Sequence, residues 1–171
     1  MDALRFLKSQ HKEVDALLKE VDGLSDNAKA TRKRLFAEID QKLTIHAQIE
    51  ETIFYPELKA AAARDKEAKQ EVLEAYEEHA NVKSMIQKLE STEPSDETYA
   101  AKLQVLSELV KHHVKEEEKT MFPQAKELLQ KDQLEDLGAR LEQATGELKS
   151  SKKKKGSRGP SDAAAVSELA R

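Results

Sequence analysis

HAQIEETIFYP (residues 46–56) recurs as HVKEEEKTMFP (residues 113–123), without a gap and 67 residues further on. His46/His113, Glu50/Glu117, Glu51/Glu118 and Pro56/Pro123 stand at the same offsets. In each copy the histidine and the first shared glutamate are four residues apart. On a helix they therefore lie on one face, one turn apart. A second match supports the first: His11-Lys-Glu-Val14 pairs with His79-Ala-Asn-Val82, 68 residues later. The repeated unit is one helical hairpin. Its first helix supplies a lone histidine and its second supplies His-x-x-x-Glu.

Apolar spacing gives the helices around these motifs. Leu4, Leu7, His11, Val14, Leu18 and Val21 predict a first helix over about 2–22. Gly23 and Ser25-Asp26-Asn27 make a turn. Leu35, Ile39, Leu43, His46, Ile49 and Ile53 predict a second helix over about 27–62, which Pro56 should kink or end locally. Val72, Ala75, His79, Val82, Ile86 and Leu89 mark a third over about 65–91. After Glu93-Pro94-Ser95, a fourth over about 96–130 carries Leu103, Leu106, Val110, His113 and Glu117 and meets Pro123. Residues 132–148 read as a shorter fifth helix. The fold class is all-α: an up-down-up-down four-helix bundle of two repeated hairpins, with a short extra C-terminal helix. That domain spans 1–148. The Lys/Ser/Gly-rich stretch 149–171 is expected to be a disordered basic tail, because it has almost nothing apolar to bury.

Composition agrees and excludes several chemistries. Of 171 residues, 36% are charged and 4% aromatic, with five Gly and four Pro, a helix-rich balance. With no cysteine, disulfides, thiolate metal sites and Cys nucleophiles are ruled out. No apolar run approaches the roughly 18 residues of a membrane span, and MDALRFLKSQH lacks the order of a secretory signal. A cytoplasmic protein with no membrane partner is the expectation, as a monomer or homodimer. Residues 149–171 hold seven Lys/Arg against two acids, leaving residues 1–148 at −9 of the total −4. An acidic body argues against nucleic acid as a partner.

Folding both hairpins into one bundle brings His11, His46, His79 and His113 together with Glu50 and Glu117. Six N/O donors in a bundle core suit a dinuclear iron or manganese centre, with iron preferred. The two carboxylates can bridge the metals and two histidines can cap each. A lone core histidine is usually hydrogen-bonded structure, and a single His-x-x-x-Glu is common on helix surfaces. Four histidines in register with a duplication are much harder to obtain by accident. Burying so many ionisable groups without a cation would also be costly.

The set His11 … His46-x-x-x-Glu50 … His79 … His113-x-x-x-Glu117, with Phe54-Tyr55-Pro56 and Phe122-Pro123, resembles the hemerythrin-like HHE cation-binding domain over residues 1 to about 130. The resemblance implies a four-helix bundle around two iron ions, a non-haem, oxo- or carboxylate-bridged di-iron centre. It implies binding or reduction of a small gaseous or peroxide ligand: oxygen, peroxide or nitric oxide. The alternative it implies is an iron- or oxygen-sensing regulatory protein without turnover, so the sequence leaves open whether this is a di-iron oxidoreductase. One departure stands out. Oxygen-carrying hemerythrins place two histidines one turn apart on the third helix, whereas Ala75 and Lys83 flank His79 at those distances. The ligand set is therefore symmetric, which suits redox chemistry on both metals at least as well as reversible oxygen carriage.

Several neighbours carry secondary readings. Glu51 and Glu118 could support a neighbouring helix's histidine or be solvated; Glu116 is read as solvated. Tyr55 and Tyr76 read as packed core residues near the inner face, with donation to a bound oxygen species as the rival. Lys152–Lys155 read as a solvated tail. His112 competes with His113 for the ligand role, since oxygen-carrying hemerythrins place the last carboxylate five residues after the histidine. The repeat favours His113, which leaves His112 about 100° off the site.

Overall fold

The structure is a computed structural model that describes residues 1–25 and 27–156, with side chains to Ser151. Helices are α1 (Ala3–Asp22), α2 (Lys29–Ile49), α3 (Tyr55–Ala61), α4 (Lys66–Glu90), α5 (Tyr99–Glu116), α6 (Phe122–Leu128) and α7 (Lys131–Gly156). No strand occurs among the described residues. None of their helices is long and apolar enough to cross a membrane. The Asp2 carboxylate caps α1 by accepting from the Arg5 N–H, and Asp65 caps α4 by accepting from Glu67 and Ala68.

Prolines 56 and 123 do not end their helices. Between α2 and α3, and again between α5 and α6, the chain makes a π-helical turn: Glu50–Phe54 and Glu117–Met121. The Tyr55 N–H donates to the Glu50 carbonyl and the Phe122 N–H to the Glu117 carbonyl, five residues back in each case. Proline has no N–H to give the carbonyl four residues back. The widened turn absorbs that loss and sets each proline in the first turn of the next α-segment, where the N–H is dispensable. Both hairpins carry this device at the same offset.

Two apolar clusters fill the bundle. One gathers Leu7, Phe54, Tyr55, Leu58, Val72 and Phe122 with neighbours, and the other Leu18, Leu35, Ile39, Leu89, Leu103 and Leu106 with theirs. Each such fully buried side chain contributes about 1.5–3 kcal/mol. The buried histidines fall between the clusters, one each on α1, α2, α4 and α5. On α1, His11 lies between Leu7 and Val14; on α4, His79 lies between Ala75 and Val82. The polar layer is thus clamped from both sides.

The fifth long helix is longer than its sequence pattern suggests. α7 runs to Gly156, into the segment expected to be disordered. Leu134, Leu137 and Leu141 anchor it on the first cluster. Beyond them the sequence is rich in lysine, a good helix former. Gly138 sits against the N-terminus, where a Cβ would fall 2.1 Å from the Met1 carbonyl oxygen. Residues 157–171, the rest of the expected tail, lie outside the described residues.

Candidate metal centre

The structure brings His11, His46, Glu50, His79, His113 and Glu117 into one buried layer. The imidazoles form two pairs, one per hairpin. His11 and His46 approach Nε2 to Nε2 at 3.1 Å, and His79 and His113 at 3.0 Å. The carboxylates connect the pairs. Glu50 Oε2 lies 3.2 Å from His46 Nε2 and 3.4 Å from His79 Nε2. Glu117 Oε2 lies 3.1 Å from His11 Nε2 and 3.5 Å from His113 Nε2. Each glutamate therefore lies beside one histidine of each hairpin.

The far side of each ring is held as well. His11 Nδ1 donates to Glu118 Oε1 at 2.9 Å and His79 Nδ1 to Glu51 Oε1 at 2.9 Å. These bonds cross between hairpins. His46 Nδ1 donates to Gln10 Oε1 and His113 Nδ1 to Glu78 Oε2, both at 2.7 Å. With Nδ1 carrying the proton, all four Nε2 lone pairs face the layer, the tautomer a metal ligand needs. Glu51 and Glu118 thus do support a histidine of the opposite hairpin. Gln10 and Glu78 escaped sequence reasoning, yet each precedes the lone histidine of its hairpin. The same repeat that revealed His11 and His79 could have found them.

Other candidates fall outside the layer or at its edge. The His112 side chain is 62% exposed, with its Nε2 3.1 Å from Glu78. Tyr55 is buried, and its hydroxyl donates to Glu117 Oε1 at 2.8 Å. The matching position in the other half is Phe122, whose ring stacks on His11 with centroids 5.9 Å apart. Tyr76 donates to the Glu51 carbonyl.

Electrostatics show what the layer lacks. Burial, reinforced by the Glu117 charge, pushes the Glu50 carboxyl well above its usual range. Burial also acts on Glu117, but His113 and His11 beside it win and hold it well below. Burial drags His46 well down, and His11 adds to this. Burial likewise lowers His79, while for His11 and His113 the neighbouring carboxylates outweigh burial and raise the pKa. Without a cation the donors must share protons between like neighbours. Both Glu50 oxygens and Glu117 Oε2 are buried and accept no hydrogen bond, despite their closeness to imidazole nitrogens. Orphaned carboxylate oxygens set among four inward ring nitrogens suit a metal cation, which would take the place of the shared protons. Two overlapping donor groups result, His11/His46/Glu50/Glu117 and Glu50/His79/His113, each with ligand atoms within 4.8 Å of one another.

The hemerythrin HHE cation-binding domain model matches residues 2–125. The chain belongs to the hemerythrin HHE cation-binding family. A solved hemerythrin HHE cation-binding domain-containing protein from Mycobacterium kansasii superposes with a TM-score of 0.75 at 28% identity, over 94% of this chain and 95% of that one. A curated relative, the DNA nickase of Nostoc sp., is 24% identical over 142 residues. That match takes in 83% of this chain but only 38% of the nickase. This HHE domain therefore has a buried His/Glu cluster able to hold metal, and α7 lies beyond the matched family segment.

Proposed function

We propose that this HHE domain is a di-iron protein that binds or reduces a small oxidant: oxygen, peroxide or nitric oxide. In it, His11 and His46 would hold one iron and His79 and His113 the other, with Glu50 and Glu117 as the carboxylates shared between them. When bound, such a pair supplies or stores the electrons an oxidant needs. The observation that carries the reading is a cavity of about 20 Å³ lying against all four imidazoles and walled by Val14, Val82, Val110 and Val114. That is room for about one water-sized molecule, at an apolar wall that suits a diatomic or peroxide. Tyr55 supports it from the other side, since its hydroxyl donates to the Glu117 carboxylate at 2.8 Å. Burial and the two glutamates keep that phenol protonated, so it can hold a hydrogen bond to Glu117 throughout. A wider groove of about 370 Å³ reaches His11 and Glu118 between α1 and α5, bordered by Lys12, Lys111, Lys115 and Lys119. It offers an approach from solvent.

Filling the small cavity tests the proposal. Val82→Phe should keep its metal but slow peroxide consumption, and weaken nitric oxide binding followed by absorbance, at least tenfold. Unchanged reactivity in a variant with full metal content would refute it. Metal-loaded wild type that binds oxidant without turnover would favour the sensing alternative. A second reading comes from the Nostoc relative. DNA cleavage by this domain has in its favour the similarity over most of the chain and the Lys152–Lys155 run. Relaxation of supercoiled plasmid by metal-loaded protein, and none by a His46→Ala variant, would establish it.

A further inference from the structure

The six inner donors obey the repeat, but the groups behind them do not. In the His79/His113 pair both rings donate Nδ1–H to carboxylates, Glu51 and Glu78. In the His11/His46 pair one ring donates to a carboxylate, Glu118, and the other to the neutral amide of Gln10. Gln10 and Glu78 are repeat counterparts, so among the four Nδ1 acceptors the repeat breaks at this one position. The amide is not free to compensate by turning. Its Nε2 donates to Thr145 Oγ1 at 3.4 Å, and the Thr145 hydroxyl in turn donates to the Leu141 carbonyl. α7 thereby fixes the amide oxygen, not the NH₂, toward His46.

A carboxylate behind a ligating imidazole makes Nε2 a stronger donor and adds a negative charge near the cation; an amide oxygen orients the ring without the charge. Glu78 shares its other oxygen with the exposed His112, at 3.1 Å, and Glu51 is also held by Lys83 at 2.7 Å. On the other half, Glu118 has Lys8 at 3.7 Å. A lysine thus stands beside a glutamate in each half. Among the Nδ1 acceptors, what remains unmatched is Glu78 against Gln10.

We propose that the two cation positions are inequivalent, the His79/His113 position taking a divalent cation first and more tightly than the His11/His46 position, with Gln10 and Glu78 as the positioning residues that set the order. This rests on the two-cation reading given above. It adds to that reading an assignment of which half loads first.

The test is a cobalt(II) titration of metal-stripped full-length protein, followed by calorimetry against a competing chelator and by the d–d absorption. His46→Ala and His113→Ala each leave one position intact, so each constant is free of coupling between cations. His46→Ala should keep the tight position and His113→Ala the weak one, with dissociation constants about 10–100-fold apart. In otherwise wild-type protein, Gln10→Glu should tighten the second step about tenfold or more and draw the two steps together. Glu78→Gln should do so by weakening the first. Constants within threefold of each other in the two histidine variants, or Gln10→Glu leaving both steps where they were, would overturn the proposal. Should Gln10→Glu fail to fold by circular dichroism, the histidine pair still decides. Fewer than two cobalt ions per wild-type chain at saturation would instead refute the two-cation reading itself. Two ions of equal affinity would refute only the inequivalence.

Discussion

Replacing Glu50 by glutamine should raise the stability of the metal-stripped protein and lower that of the metal-loaded one. Glu50 is fully buried, and neither of its oxygens accepts a hydrogen bond. A buried polar group left without a partner costs about 1–3 kcal/mol. Glutamine keeps the shape, removes the ionisation, and turns an NH₂ toward the Nε2 lone pairs of His46 and His79. In a chain of 171 residues, each kcal/mol moves the melting temperature by about 2–4 °C. The stripped variant should therefore melt about 2–12 °C above stripped wild type. The gap should widen with pH. The folded-state pKa of Glu50 is raised, so its contribution is present below the unfolded value and is lost as pH rises through the folded one. Glutamine does not titrate. With saturating metal the order should invert, because wild type gains about 4 kcal/mol at a thousandfold excess over its dissociation constant and the variant has lost a bridging carboxylate. Thermal melts by circular dichroism in chelator and in metal give the four values needed. A variant less stable than wild type under both conditions would show that Glu50 is an ordinary satisfied core group. The reasoning from its orphaned oxygens would then fail.

Three further outcomes follow from the same geometry. His112→Ala should keep full metal content while His113→Ala loses metal, measured by mass spectrometry, because His112 faces solvent and His113 the layer. Metal affinity should rise with pH through the neutral range, since the protons held by Glu50, His11 and His113 must leave as a cation enters; titrations at pH 6 and 8 check the sign. Gly138→Ala should destabilise by about 1–3 kcal/mol, read as a lower melting temperature, because its Cβ would meet the Met1–Ala3 backbone and α7 must shift off the bundle.

The helical hairpins and the six inner donors were legible because two periodicities agree. The 3.6-residue apolar spacing placed the helices, and the repeat of 67 to 68 residues picked out the histidines that share the buried layer. His113 over His112 is the clearest case: local spacing left both open, and the counterpart of His46 decided it. What stayed hidden depends on distance across the bundle or on the backbone register. Gln10 looked like any polar helix residue until His46 arrived beside it from α2. The π turns could not be read either. A proline announces a lost hydrogen bond, but it does not say whether the helix breaks, kinks or widens; here both turns widen, and Phe54 and Phe122 pack edge to face in one apolar cluster. The length of α7 was misjudged because a lysine run looks like a solvated tail. Leu134, Leu137 and Leu141 anchor the helix and let good helix formers carry it on. The symmetry expected of the site holds for its six inner donors and fails one layer out, where Gln10 faces Glu78 and Tyr55 faces Phe122.

The central claim is that six buried side chains form one cradle for two metal ions. Elemental mass spectrometry of full-length protein, stripped and then reconstituted anaerobically with iron(II), tests it most directly. Two irons per chain, falling to one or none in Glu50→Ala and Glu117→Ala, is the predicted result. A wild-type chain that retains no iron, or alanine variants that still hold two, would contradict it.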